Sequence, residues 1–202
     1  MRLIYLNQKN LDEVTKVATA TLRRGDVIIY PTDTCYGLGA RMTARRALEK
    51  IVGIKHRRAE KAFLSLVSGL SMVKRFASVT AAHRRLAKKF WPGSLTMIFN
   101  HRARGLSPQV CLDGSIAFRA SKNQFLRKLI RALGEPLIST SLNVSGQPNI
   151  YRQSEVLAFA RRAWPVPDLI ILAGDLPRRP TSTLVDPRVG KIKVLRQGKI
   201  KV

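Results

Sequence analysis

The densest group of potential ligand-binding side chains lies at residues 139–146, directly after a short apolar run. The segment reads Ser-Thr-Ser-Leu-Asn-Val-Ser-Gly and offers four hydroxyl groups, one amide and a glycine within eight positions. Polar groups at this density beside an apolar strand need hydrogen-bond partners, and a bound polar ligand can supply them. The alternative is a Ser/Thr-rich loop whose side chains satisfy one another.

A second polar segment, residues 31–39, follows the apolar run Val27–Tyr30 and reads Pro-Thr-Asp-Thr-Cys-Tyr-Gly-Leu-Gly. Hydroxyls and glycines at the end of a buried strand stand where open α/β sheets bind their ligands. A tight turn that only reverses the chain is the alternative. Gly37 and Gly39 match only the first two glycines of the G-x-G-x-x-G fingerprint, because Met42 stands where the third glycine is required.

Residues 55–61, Lys-His-Arg-Arg-Ala-Glu-Lys, place a cluster of cations directly after a predicted helix. Lys55, Arg57 and Lys61 could clamp a triphosphate, since arginine offers a planar fork and lysine a point charge. A solvated run of charges is the alternative. The chain has no G-x-x-x-x-G-K-[ST] loop, so side-chain cations and other backbone amides would have to bind any phosphate.

The histidines and cysteines do not form a metal-binding pattern. His56, His83 and His101 lack the H-E-x-x-H spacing, and surface positions are predicted for all three. Cys35 and Cys111 lack C-x-x-C spacing and are too few for a disulfide scaffold. We therefore predict no metal ligands in the protein.

Composition limits the class of protein. The chain has 202 residues, 45% of them hydrophobic, which is enough to bury a core and argues against a disordered basic tail. Apolar runs are too short to span a membrane, and no secretory signal is visible. We expect a cytoplasmic globular protein that forms a single domain over residues 1–202.

The charge is strongly positive and unevenly distributed. Lys and Arg number 37 against 12 Asp and Glu, a formal net charge of +25. Residues 61–112 contain no acidic residue, and the last fifteen residues contain six cations and no acid. A polyanion such as tRNA or another RNA would relieve the repulsion in this field. A basic proteome or a solubility device is the alternative.

Hydrophobic periodicity indicates alternating helices and strands, and therefore an α/β fold with a substantial sheet. Close spacing of strands near 95–119 and 183–202 favours some antiparallel pairing. A capping box of Asn10 and Glu13 is predicted to begin the first helix, and Gly25 to end it. Helices are predicted at 10–24, 43–54, 80–90, 123–133 and 154–163, and strands at 27–30, 63–67, 95–99, 115–119, 137–139, 169–172, 183–185 and 192–195.

Taken together, the segments resemble the YrdC/YciO family over roughly residues 10 to 200. Seven pieces match in order. They are P-T-D-T-C-Y-G-L-G at 31–39, K-H-R at 55–57, W-P-G-S-L-T at 91–96, I-A-F-R at 116–119, S-T-S-L-N-V-S-G at 139–146, S-T-L-V-D at 182–186 and L-R-Q-G at 195–198. The resemblance implies a twisted, open, mixed sheet flanked by helices, with a basic concave cleft.

Characterised members of that family are threonylcarbamoyl-AMP synthases, which act in tRNA modification. The resemblance implies a reaction of L-threonine, bicarbonate (or CO2) and ATP that yields threonylcarbamoyl-adenylate and pyrophosphate. Such a step needs alignment and charge stabilisation rather than an enzyme nucleophile. The resemblance also implies that Mg2+ binds with the ATP phosphates. It further implies partner proteins that act in tRNA modification. The alternative is a YciO-like protein that binds double-stranded RNA or tRNA without this activity.

The resemblance also implies roles for individual residues. Lys55 and Arg57 would be catalytic. ATP would be bound by Arg57, Lys61, Ser115, Ser141, Asn143 and Arg196. Threonine would be bound by Thr34, Arg119, Ser139 and Ser182, with Arg119 pairing bidentately with the carboxylate.

The chain departs from the family pattern at several positions. Arg58 and Ala62 replace two prolines of K-x-R-P-x-x-K-P. Leu142 stands where synthases carry a small alanine, and it could narrow the pocket or point inward. Leu66 replaces a histidine that some members place near threonine. Phe63 and Leu142 resemble the YciO branch, whereas Lys55, Arg57 and Asn143 resemble the synthases.

Overall fold

A mixed sheet of ten strands forms the centre of the part of the protein described by the computed structural model, which covers residues 1–56, 62–102, 105–188 and 190–202. The strands are β1 (Arg2–Tyr5), β2 (Ile28–Pro31), β3 (Tyr36–Arg41), β4 (Leu64–Leu66), β5 (Leu95–Asn100), β6 (Ser115–Arg119), β7 (Leu137–Ser141), β8 (Leu169–Leu172), β9 (Thr183–Asp186) and β10 (Lys193–Arg196). Their order in the sheet is β1-β8-β2-β3-β7-β4-β6-β5-β9-β10.

Six helices accompany the sheet in the described residues. They are α1 (Leu11–Arg23), α2 (Arg45–Lys55), α3 (Leu70–Val73), α4 (Ala81–Phe90), α5 (Gln124–Leu133) and α6 (Gln153–Arg162). Helix α1 buries a face of Val14, Ala18 and Leu22 and packs against α5. None of the described helices combines the length and the apolar character that crossing a bilayer requires. The predicted α/β class with a mixed sheet is confirmed.

The sheet combines parallel and antiparallel strand pairs, with three successive antiparallel pairs from β2 through β3 and β7 to β4. Strand β2 is buried at every position because it lies between β8, which runs parallel to it, and β3, which runs antiparallel. The antiparallel pairing expected near 95–119 and 183–202 is confirmed by the β5–β6 and β9–β10 pairs. Strands β1 and β3 and helix α3 were not predicted from the sequence.

Glycines end the helices where the sequence predicted, but one predicted cap is absent. Gly25 follows α1 with a φ of +87° and Gly134 follows α5 with a φ of +76°, conformations that glycine adopts without steric cost. The capping box predicted for Asn10 is wrong. Its side chain instead donates to the Tyr5 carbonyl at 2.8 Å and accepts from the Asn7 amide at 2.9 Å.

His83 is fully buried, so its predicted surface position is wrong. Its ring stacks on Phe99 with centroids 4.0 Å apart. The Thr80 amide donates to Nδ1 at 3.2 Å, and Nε2 lies 2.9 Å from the Ile98 carbonyl. Since a carbonyl only accepts, the neutral tautomer with hydrogen on Nε2 satisfies both contacts. His83 therefore links the N-terminus of α4 to strand β5 through hydrogen bonds to Thr80 and Ile98.

We expect this histidine to make stability depend on pH. Burial lowers the pKa of His83 below its usual 6.5. The unfolded chain therefore takes up a proton near pH 6.5 while the folded chain stays neutral, so the free energy of unfolding falls as the pH drops below 6.5. Urea denaturation between pH 7.5 and 5 should show a flatter dependence for His83→Gln. Parallel curves for the two proteins would contradict this assignment.

Candidate functional site

A cleft of about 590 Å³ gathers residues from distant parts of the chain. It is lined by the turn at 32–35, by strands β4, β5, β6 and β7, and by the segment from Thr181 to Leu184 together with Arg196. The sheet order explains this gathering, because β7, β4, β6, β5 and β9 are consecutive neighbours although β4 and β9 are far apart in sequence.

Most of the site residues suggested by the family resemblance face this cleft. The lining includes Thr34, Ser115, Arg119, Ser139, Ser141, Ser182 and Arg196. Lys55 and Asn143 lie beside it and bond to Ser141. Arg57 and Lys61 lie outside the described residues, as does Arg58. The individual roles and the basic character of the cleft stay predictions.

Lys55 anchors the 139–146 segment. Its Nζ donates to the carbonyls of Ser141 at 2.6 Å and Asn143 at 2.9 Å, and to Asn143 Oδ1 at 2.7 Å. Ser141 Oγ donates to the same Oδ1 at 2.7 Å, and the Lys55 carbonyl accepts from the Ser145 amide at 2.8 Å. The end of α2 and this segment therefore form one hydrogen-bonded unit, while Ser139 and Ser141 still line the cleft.

Arg119 is a nearly buried guanidinium, its side chain 6% exposed. Its Nε donates to the Gly93 carbonyl at 2.9 Å, and Nη2 forms an ion pair with Asp33. Burial lowers the pKa of Arg119, and the Asp33 carboxylate opposes that shift. The Gly93 amide itself donates a hydrogen bond of 2.7 Å to the Ala120 carbonyl. The plane of the guanidinium is thus fixed, and its contacts within the described residues use only some of its five N–H groups.

Ser182 and Arg196 form a second polar cluster in the cleft with Thr96. Thr96 Oγ1 and Ser182 Oγ lie 2.8 Å apart. Arg196 Nη2 donates to the Ser182 carbonyl at 2.9 Å and to its Oγ at 3.1 Å. Burial lowers the pKa of Arg196. Ser182, predicted to bind threonine, and Arg196, predicted to bind ATP, are therefore hydrogen-bonded to each other.

Segment 31–39 is both a tight turn and a wall of the cleft. Thr32 Oγ1 donates to the Cys35 carbonyl at 2.6 Å and accepts from the Thr34 amide at 3.0 Å. The second glycine is needed for packing, because a Cβ on Gly39 would lie 2.6 Å from Tyr30 Cε1 and 2.7 Å from the Ile138 carbonyl oxygen. The glycines at 37 and 39 belong to β3, so close strand packing accounts for this fragment.

Three described positions depart from the family pattern. Leu142 is fully buried, its amide donates to the Tyr36 carbonyl at 2.9 Å, and it is not among the lining residues. It therefore points inward rather than narrowing the cleft. Leu66 and Ala62 do line the cleft. Leu66 gives that part of the wall an apolar surface.

Several polar residues of the cleft had no role predicted from the sequence, and two of them form polar contacts with predicted site residues. Thr96 and Asp33 line the cleft, yet neither had been assigned a role. Thr96 lies in segment 91–96 and Asp33 in segment 31–39, two of the segments that resemble the family. That resemblance was the signal that could have pointed to them. What the sequence could not show was that Asp33 meets Arg119 and that Thr96 meets Ser182.

Comparison with known proteins agrees with the fold and the motifs. The family model Sua5_yciO_yrdC, described as "Telomere recombination", matches residues 20–198. A threonylcarbamoyl-AMP synthase of Stenotrophomonas maltophilia (strain K279a) is 35% identical over 143 residues, which are 69% of this chain and 76% of that protein.

Solved structures show the same architecture. A variant of P. abyssi Sua5 (H234A/Y235A) superposes with a TM-score of 0.85 at 25% identity; the match covers 98% of this chain but only 57% of that one. P. abyssi Sua5 complexed with L-threonine gives 0.86 at 24% identity, covering 98% and 58%. E. coli YciO gives 0.83 at 27% identity and is matched over 94% of its length, for 98% of this chain.

Proposed function

The chain belongs to the Sua5/YciO/YrdC family, and from that membership we propose that it is a threonylcarbamoyl-AMP synthase. It would convert L-threonine, bicarbonate or CO2, and ATP into threonylcarbamoyl-adenylate and pyrophosphate. The observation that carries the proposal is the meeting of two arginines, Arg119 and Arg196, with strand-end hydroxyls in one cleft. The 35% identity to a synthase supports it.

On the amino-acid side, Arg119 would bind the threonine carboxylate. Its Nε is already bound to Gly93, so the outer edge of the guanidinium is presented in one orientation. Thr34, Ser139 and Ser182 would offer hydroxyls to the remaining polar groups of threonine. Fixed donors of this kind align the amine for carboxylation without a reorganisation cost.

On the nucleotide side, Arg196 and the hydroxyls of Ser115 and Ser141 would contact ATP, together with Arg57 and Lys61. The carbamate oxygen of threonine would attack the α-phosphorus and displace pyrophosphate. Negative charge then develops on the phosphate oxygens, which cations and hydroxyl donors stabilise. Lys55 and Asn143 would support this side by holding the strand end that carries Ser141.

Magnesium would enter with the ATP phosphates rather than in a carboxylate site of the protein. No cluster of three or more His, Cys, Asp or Glu suited to a metal occurs among the described residues. Among the described residues that line the cleft, Asp33 supplies the carboxylate, and it forms an ion pair with Arg119. Mg2+ commonly binds through substrate phosphates and water, and there it would neutralise phosphate charge.

The product would be consumed in forming N6-threonylcarbamoyladenosine in tRNA, with partner proteins completing the transfer. We place this activity in the cytoplasm and in a single domain of 202 residues. A mixed anhydride such as threonylcarbamoyl-adenylate is an activated acyl donor, so a nucleophilic amine must accept its carbamoyl group.

The test is pyrophosphate release by the purified protein. Release should require ATP, L-threonine and bicarbonate together, and mass spectrometry should detect threonylcarbamoyl-adenylate. Omission of each substrate in turn is the control. Pyrophosphate release that does not depend on threonine, or no release with the partner proteins present, would contradict the proposal.

A second candidate function is RNA binding without synthase activity. Helix α4 favours it, because it exposes Arg84, Arg85, Lys88 and Lys89 inside the acid-free stretch 61–112. Four cations on two successive helical turns can contact phosphates without reading sequence.

RNA affinity measured from 50 to 200 mM salt would distinguish the two. Under the second candidate, Arg84→Ala/Lys88→Ala should lower the salt slope by about 2, roughly one for each lost phosphate contact. Arg161→Ala/Arg162→Ala, which removes two exposed cations from the last turn of α6, is the matched control. Equal slopes for the two double variants would argue for non-specific attraction by net charge.

A further inference from the structure

The proposed reaction leaves one charged group of the cleft without a role, the carboxylate of Asp33. It stands in the turn after β2 and is only 15% exposed. One oxygen pairs with Arg119 Nη2, and the other accepts from Ser121 Oγ at 3.3 Å. We propose that Asp33 and Arg119 form a receptor for a zwitterion, in which Asp33 holds the α-amino group of the amino-acid substrate and Arg119 holds its carboxylate. This inference rests on the proposed function.

Both partners can accept a ligand while they remain paired. A carboxylate offers about four lone-pair positions and a guanidinium five N–H groups, more than their contacts in the described part of the protein use. Both side chains line the same cleft. In an α-amino acid the amino and carboxylate groups share one carbon, so an adjacent anion and cation match them.

The charges of the pair explain why the ligand should be a zwitterion. Asp33 already neutralises Arg119, and both side chains are nearly buried. A carboxylic acid without an amine would place a second negative charge beside Asp33 with no compensating cation, which is costly in a poorly solvated site. An α-amino acid adds no net charge. Asp33 should therefore select amino acids against their deaminated counterparts.

Arg196 is a further charge that acts on this pair within the described residues. It lies close enough to lower the pKa of Arg119. Its positive charge could compensate a simple carboxylate when no nucleotide is bound. The discrimination is therefore measured with α,β-methylene-ATP present, whose phosphates would occupy the nucleotide side. After carboxylation the threonine nitrogen keeps one N–H, so Asp33 can hold the carbamate as well as the amine.

Calorimetric titration with L-threonine and with (R)-3-hydroxybutanoate, which lacks the amine, tests the inference. In the wild-type protein threonine should bind about tenfold or more tightly than the hydroxy acid, the range expected for a hydrogen bond to a charged group. Asp33→Asn should weaken the binding of threonine by a similar factor. The affinity for the hydroxy acid should stay unchanged or increase. Ser121→Ala, which keeps the carboxylate, should preserve the discrimination.

Equal wild-type affinities for the two ligands would overturn the inference. So would an Asp33→Asn protein that loses both ligands alike, because Asp33 would then only hold Arg119 in place. If that variant does not fold, Asp33→Glu replaces it. This variant keeps a carboxylate but displaces it by one methylene, so it should lower the ratio of the two affinities, and an unchanged ratio would overturn the inference. A panel of the other common α-amino acids separates the two proposals. If another amino acid is bound and discriminated from its deaminated form while threonine is not, the zwitterion receptor stands and the proposed substrate is wrong. If no amino acid binds, both are wrong.

Discussion

Arg119→Ala should reduce threonine-dependent pyrophosphate release at least about thirtyfold, because the variant lacks the cation proposed to bind the threonine carboxylate. Truncation of one partner of a buried, hydrogen-bonded charge pair commonly costs roughly 2–5 kcal/mol, which corresponds to this factor or more. The loss should appear mainly as a higher KM for threonine, with the KM for ATP little changed. Steady-state kinetics with each substrate varied in turn measures this.

The same substitution should also destabilise the fold, and a second substitution should separate the two effects. Without Arg119, the nearly buried Asp33 carboxylate has lost its counter-ion, at a cost of about 3–5 kcal/mol. Arg119→Ala combined with Asp33→Asn should recover much of that stability but none of the activity. Arg131→Ala, an exposed arginine on α5, is the control for charge alone. Activity within a few-fold of wild type in Arg119→Ala would remove this residue from the threonine site.

Lys55→Met should cost about 3 kcal/mol of stability and most of the turnover. The ammonium donates to two carbonyls and to Asn143 Oδ1 inside the protein, and methionine removes all three hydrogen bonds, leaving Ser141 Oγ as a donor to Oδ1. In a protein of this length such a loss corresponds to a fall in Tm of roughly 6–12 °C. Urea denaturation gives the free energy, and pyrophosphate release gives the turnover.

Lys50→Met on the same helix is the matched control. Lys50 pairs with Asp168 at 2.7 Å, and neither residue lines the cleft. Its loss should cost about 1 kcal/mol at most and leave turnover unchanged. If Lys55→Met kept its stability and lost only turnover, Lys55 would contact substrate directly instead of acting through the 139–146 segment.

Local sequence signals predicted most of the helices and strands of this fold, and the errors have a common cause. Strand β3 was not predicted, and its two glycines have low strand propensity. Gly39 is nevertheless required there, since Tyr30 and the β7 backbone leave no room for a Cβ. His83 was expected at the surface because no metal-binding pattern includes it, but it is fully buried and stacks on Phe99. In both cases a residue distant in sequence overrides the local preference.

For the site, the amino-acid sequence predicted segments that the structure brings to one cleft. The segments at 31–39 and 139–146 could be identified because polar residues beside apolar runs are recognisable locally, whereas those at 91–96, 116–119 and 195–198 were identified through the family resemblance. Which of these groups meet is evident only in the folded chain. Asp33 and Arg119 are 86 positions apart, as are Thr96 and Ser182. Such pairs depend on the order of strands in the sheet, which is set by packing of the whole chain rather than by neighbours in sequence.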